Sequence, residues 1–163
     1  MNVRHLPALG TMIAMVGLVA CTRTVVVQPP PQTLNAVTSS QRVYTDDGIG
    51  FPDSARIAVR DAATWQDVWQ RATYSHPNPP PMPGIDFTQE MLLVVAAGRM
   101  SPGDQIRVDS VGVRNDQYIA IVRTTVECEP FPADAYPMEI VRVRRDERPV
   151  GWVERRERAA HCS

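Results

Sequence analysis

Apolar residues recur with a helical period in one short part of the chain, residues 61–73. Within DAATWQDVWQRAT, apolar side chains fall at i, i+3, i+4 and i+7, which predicts an amphipathic helix with one buried face. Asp61 stands before it, where a carboxylate can accept first-turn N–H groups. Because two tryptophans lie one turn apart on this face, we expect it to pack against a sheet. The face consists of Trp65, Val68, Trp69 and Ala72.

Elsewhere the apolar pattern predicts strands. The run MLLVVAA, residues 91–97, is continuously apolar, which is typical of a central strand buried on both faces. A second strand, marked by Ile106, Val108 and Val111, loses its alternation near Ser110, which predicts a bulge. A hairpin turn is expected at 115–116. The remaining strands are predicted at 54–60, 117–125, 137–145 and, as a short edge strand, 151–153.

These elements predict an α+β domain over residues 46–163. We expect a mostly antiparallel, curled β-sheet of five to six strands with one amphipathic helix packed on it. The segment 74–87 contains five prolines, which exclude a helix or a central strand there and predict a rigid surface connection.

The chain begins with a pattern that predicts export. A short polar start with Arg4 precedes the apolar residues 6–20, which are too few to span the ~30 Å hydrocarbon core as a helix. This layout predicts a signal peptide over residues 1–20. Leu18-Val19-Ala20-Cys21 resembles the bacterial lipobox. The alternatives are an ordinary signal with an incidental cysteine or a retained signal anchor.

The lipobox resemblance implies that the mature protein starts at Cys21. Its sulfur would carry diacylglycerol, and its new amino group would carry an acyl chain such as palmitate, because one chain alone binds a membrane only marginally. Thr22, in place of aspartate, implies the outer membrane and a domain facing the periplasm. Residues 21–45, rich in Pro, Thr and Ser, predict a flexible tether. Within it, 25–27 could alternatively pair as an edge strand.

Composition narrows the function classes. A formal net charge of -1 gives no electrostatic case for nucleic acid as a partner. In an oxidising compartment, Cys128 and Cys162 predict a disulfide. The rival interpretation is a metal site, but its spacing fits no standard zinc pattern, so no metal or other cofactor is expected. Its ligands would be Cys128, Glu129, His161 and Cys162.

The sequence contains no nucleophile-elbow motif and no phosphate-binding glycine loop, and we expect a protein that is not an enzyme. The alternative, a hydrolase with an unrecognised site, would use His76, Asp86 and Glu90. We expect His76 to be a solvated side chain on the proline-rich connection, and Asp86 to be a local cap.

An arginine-rich stretch is the remaining candidate for binding. Residues 142–158 hold seven arginines and four acidic residues. They could contact an acidic protein patch or anionic lipid, or they could form a solvated edge that prevents aggregation. The binding candidates are Arg142, Arg144, Arg155 and Arg156.

The stretch IDFTQEMLLVVAAGRMSPGDQIRVDSVGV, residues 85–113, resembles the C-terminal domain of the PrcB family of protease-complex proteins. The Trp65-x-x-x-Trp69 helix and the strand at 137–143 also look like that family, so the resemblance covers about residues 56–145. It implies a lipid-anchored cell-envelope protein whose small domain binds another protein and stabilises an exported protease. The alternative is a structural envelope lipoprotein that contacts the cell wall or anionic lipid.

Overall fold

The structure is a computed structural model that describes Leu34 and residues 36–162. The predictions for the signal peptide, Cys21 and the first part of the tether lie outside these residues. Within the described part of the chain, no helix is long and apolar enough to cross a membrane. The elements are β1 (Ala36–Thr38), β2 (Ser40–Asp46), β3 (Ser54–Val59), α1 (Ala62–Ala72), β4 (Glu90–Ala97), β5 (Gln105–Arg114), β6 (Gln117–Val126), β7 (Met138–Arg144) and β8 (Val150–Arg158).

The strands form two four-stranded sheets. Sheet I has the order β1-β5-β6-β8, and sheet II has the order β2-β7-β4-β3. All strand pairs are antiparallel except β6 and β8, which are parallel. The mostly antiparallel β-structure with a single helix is therefore confirmed for the described residues. The single sheet of five to six strands is wrong, because alternation along a strand does not specify which strands become its neighbours.

Strand β4 explains why two sheets are needed. Leu92, Val94 and Ala96 pack in a cluster with the buried face of α1. On the opposite side, Met91 and Leu93 pack in a second cluster between sheets II and I. The prediction of a strand buried on both faces is confirmed. The helix covers one face of this strand, and sheet I covers the other.

Helix α1 begins and packs as its sequence indicates. Asp61 is the N-cap, and its Oδ1 accepts the Thr64 N–H at 2.8 Å. The four apolar positions of its stripe are all buried. The Trp65 indole N–H donates to the Pro83 carbonyl oxygen at 3.0 Å, which ties the proline-rich segment to the helix. Residues 74–87 contain no helix or strand, as predicted.

The hairpin of sheet I also follows its pattern. Asn115 and Asp116 both have positive φ, 48° and 61°, as a two-residue hairpin turn requires. The register of β5 shifts between Val108 and Ser110, where the bulge was expected. Because the bulge inserts one residue, Ile106 and Val108 before it and Val111 after it all reach the same core.

Two predicted boundaries need correction. Strand β1 and all of β2 except Asp46 lie within the residues assigned to the tether, so its predicted extent to residue 45 is wrong from residue 36 onward. These strands carry little apolar signal, and β2 is placed by its pairing with the buried strand β7. The expected short strand at 151–153 is β8, which has nine residues and pairs with β6 along its whole length.

Candidate functional site

The four arginines predicted to bind a partner do not form one site. Arg142 and Arg144 lie on β7 in sheet II and line an open cleft of about 810 Å³. Arg155 and Arg156 lie on β8 in sheet I and line a different cleft, of about 560 Å³. The four candidates are therefore divided between two clefts, because the segments that carry them belong to different sheets.

The cleft beside β7 is electrically balanced. Its three arginines, Arg142, Arg144 and Arg145, face three carboxylates, Asp86, Glu90 and Glu147. Arg142 lies 3.5 Å from the Glu90 carboxylate and also bonds the side chain of Gln41. Arg145 pairs with Glu147 and donates to the Arg60 carbonyl oxygen at 2.9 Å. Most of the positive charge is therefore already neutralised or used to hold the backbone.

The second cleft, which we call the β8 cleft, lies between the two sheets, and two of its arginines pair with carboxylates outside it, Arg99 with Asp134 at 2.8 Å and Arg155 with Asp109 at 3.6 Å. Arginines 56, 99, 155 and 156 line it, against Asp104 and Glu154. Two hydrogen bonds of 2.8 and 2.9 Å join Arg56 to Glu154 across the two sheets. The buried Asp104 carboxylate accepts the N–H groups of Ser101 and Glu127. The negative charge of Asp104 therefore interacts with backbone N–H groups rather than with an arginine of the cleft.

The three residues of the hydrolase alternative are not assembled. The Asp86 carboxylate accepts both the backbone N–H and the hydroxyl of Thr88, as a local cap does, and these bonds hold its pKa below the usual range. Glu90 pairs with Arg142. His76 bonds to strand β2 and to neither of these carboxylates. The structure thus separates the proposed base from the proposed carboxylates.

His76 is bonded rather than solvated, which corrects the sequence expectation. Its Nε2 lies 2.9 Å from Asp46 Oδ2 and 3.0 Å from the Tyr44 hydroxyl. Burial and the negative charge of Asp46 raise the pKa of Tyr44 to about 12. Tyr44 and Asp46 share one face of β2, so this trio attaches the proline-rich segment to the edge of sheet II. The Tyr-x-Asp spacing was the only sequence signal for it.

The two remaining cysteines form the predicted disulfide. Cys128 and Cys162 are bonded, with their Cα atoms 5.1 Å apart. Beside them, His161 Nε2 lies 2.9 Å from Glu127 Oε2. One possible metal-ligand atom from each of four residues lies within 4.8 Å of the others: Glu127, Cys128, His161 and Cys162. The metal alternative included Glu129 as a ligand, but the glutamate that lies beside the cysteines and His161 is Glu127. Because the sulfurs are bonded to each other, neither is available as a thiolate ligand.

Sequence reasoning missed Glu139, a charged residue in the middle of the core. Its side chain is 3% exposed. One carboxylate oxygen accepts from Arg42 Nε at 2.6 Å, and the other accepts the Val108 N–H at 2.7 Å. That N–H belongs to the β5 bulge, so the carboxylate joins sheet II to sheet I. A glutamate next to the apolar residues Met138, Ile140 and Val141 was the available signal.

Comparisons with protein-family models, with curated proteins and with solved structures found no match to this chain.

Proposed function

We propose that this chain is a lipid-anchored protein of the bacterial cell envelope whose domain binds another protein along the edge of β8. The anchor is the lipid on Cys21, and the domain faces the periplasm from the outer membrane. The resemblance to the PrcB family suggests the partner, an exported protease that the domain accompanies and stabilises without itself being an enzyme.

The observation that carries this proposal is the position of β8. It is the last strand of sheet I, and no strand of the described residues pairs with its outer side. Its second half, residues 154–158, is exposed. An unpaired strand edge presents a row of N–H and C=O groups, which other proteins use for strand addition. With nine residues, β8 is the longest of the edge strands among the described residues.

Charge on β8 also favours a specific contact over aggregation. Interspersed glutamates and arginines on an edge strand discourage pairing with apolar strands, so only a partner with complementary charge gains by docking. The edge is therefore suited to a specific partner.

The test is site-specific crosslinking in intact envelopes. A photo-crosslinking residue at Arg155, on β8, should capture a protein, and the same residue at Tyr74, which is 81% exposed on the connection after α1, should not. Both positions are solvent-accessible, so the comparison separates a specific contact from crowding. Capture at neither position, or equally at both, would contradict the proposal.

Anchoring is tested on the same material. Mass spectrometry of the processed chain should find diacylglycerol on Cys21 and no residues before it, and a C21S variant should lose its membrane attachment. An intact leader with a bare Cys21 would refute the proposed location while leaving the domain contact open to its own test.

A further inference from the structure

We propose that the partner segment that adds to β8 is extended and acidic, with carboxylates at alternate positions that face Arg156 and Arg158. The inference rests on the proposed function, and it specifies the chemistry of the partner that the edge accepts.

The direction of these two side chains follows from the register of β8. Its pairing with β6 runs without a register shift from Val150 to Arg158, so side chains alternate strictly between the two faces. Trp152 packs into the core between the sheets, and Glu154 reaches Arg56 on sheet II. Two and four residues beyond Glu154, Arg156 and Arg158 therefore lie on the same face.

The charges on β8 are unequally satisfied. Glu154 is paired with Arg56, and Glu157 lies 3.1 Å from Arg123. On the other face of β8, Arg155 lies 3.6 Å from Asp109. Arg156 and Arg158, in contrast, have no carboxylate within 4.0 Å among Leu34 and residues 36–162. Two successive positions on one face thus carry positive charge that the domain leaves unpaired.

The surroundings of Arg156 leave its charge without a partner. It lines the β8 cleft of about 560 Å³ together with Arg56, which pairs with Glu154, and Arg99, which pairs with Asp134 at 2.8 Å. Both carboxylates of that cleft are occupied, Asp104 by backbone N–H groups and Glu154 by Arg56. A carboxylate entering this cleft would therefore meet a free guanidinium, whereas an added cation would meet no carboxylate that is free of partners.

Strand geometry sets the spacing in the partner. Side chains two residues apart on a strand are about 6.6 Å apart, and a paired strand repeats this spacing on the same face. Carboxylates at positions i and i+2 of an added strand would therefore lie opposite Arg156 and Arg158. A block of consecutive acids would place half of its charge on the wrong face.

The experiment uses the full chain in detergent micelles and a fluorescent peptide of alternating threonine and glutamate. The peptide should bind and should slow amide hydrogen exchange along β8. A peptide of the same composition with its glutamates in one block should bind more weakly. The double variant R156E/R158E should lose at least about fivefold in affinity for the alternating peptide.

The matched control is R144E, which changes an exposed arginine that also has no carboxylate within 4.0 Å among the described residues but lies on sheet II. It should bind the peptide as the unchanged chain does. Equal weakening by R144E, or binding without protection of β8, would overturn the inference. So would R156E-sensitive binding to phosphatidylglycerol vesicles in the absence of peptide binding, or self-association lost in R156E/R158E.

The experiments can refute the two proposals independently of each other. If crosslinking from Arg155 captures a protein but the charge reversals leave peptide affinity unchanged, the acidic-segment inference is wrong and the protein contact stands. If the peptide binds as expected but crosslinking in envelopes captures nothing, the edge has the stated chemistry and the proposed function is wrong.

Discussion

Replacing Glu139 by leucine should destabilise the domain by more than the loss of one ion pair. The Glu139 side chain is 3% exposed and accepts two hydrogen bonds, from Arg42 Nε at 2.6 Å and from the Val108 N–H at 2.7 Å. Leucine fills a similar volume but accepts neither. The Arg42 side chain is 52% exposed and can be hydrated, whereas the Val108 N–H lies in the buried β5 bulge and would have no acceptor.

The magnitude follows from these two environments. A buried N–H left without a partner costs about 1–3 kcal/mol. The half-exposed ion pair contributes only about 0.2–1 kcal/mol. We therefore expect E139L to lower the free energy of unfolding by about 2–3 kcal/mol. R42A should cost less than about 1 kcal/mol, and E139Q should fall between the two, because its amide oxygen can still accept the Val108 N–H.

Urea unfolding of the three variants, followed by tryptophan fluorescence, measures this order. The dependence of the unfolding free energy on urea should stay the same, so that midpoints can be compared directly. If R42A costs as much as E139L, the stabilisation resides in the ion pair and the reasoning from the orphaned amide is refuted. If E139L is as stable as the unchanged chain, the bond between the two sheets contributes nothing.

Three further results are expected. The disulfide joins residues 34 apart, so C128S/C162S should lower the free energy of unfolding by about 4 kcal/mol in urea titrations; a loss below about 1 kcal/mol would show that the loop is closed by other contacts. W65F should lower the free energy of unfolding by about 1 kcal/mol in the same titrations, and W65A should lower it by about 3–5 kcal/mol, because only the alanine variant opens a large cavity. If both cost the same, the indole N–H bond to Pro83 dominates. Hydrogen bonds from Arg148 lower the pKa of Asp146, so its contribution to stability is present above about pH 4 and is lost as the pH falls through the lowered pKa. Acid titration of D146N should show a flatter loss of stability below about pH 4, and an unchanged profile would contradict the assignment.

The features that could be predicted from the sequence are those whose cause is local. The cap at Asp61 and the stripe of α1 depend on short spacings within one helix. The hairpin turn and the β5 bulge depend on residues that favour positive φ and on a break in alternation. The disulfide depends on counting cysteines after one is assigned to the anchor. Each of these patterns has the same physical meaning in any fold.

The features that could not be predicted depend on neighbours distant in the sequence. Strand β2 is polar and half exposed, and its extended form is stabilised by pairing with the buried strand β7. The four candidate binding arginines are divided between two sheets for the same reason. The stretch 142–158 is one basic run in the sequence, but its two ends belong to different sheets, and Arg155 and Arg156, as neighbours on a strand, face opposite sides. The number of arginines in a stretch of sequence therefore overstates the positive charge that the fold brings to any one surface.

The parallel pairing of β8 also bears on the binding role that we propose for its edge. An edge strand that is not already extended would have to be ordered when a partner docks, and that ordering would weaken binding. Here both strands of the parallel pair end together, and the ladder continues in the Ala159 N–H bond to the Val126 carbonyl oxygen at 2.9 Å. Just beyond, Cys128 after β6 is bonded to Cys162 after β8. The disulfide thus closes the end of the strand pair that carries Arg156 and Arg158, so the free edge is already extended before any partner segment arrives.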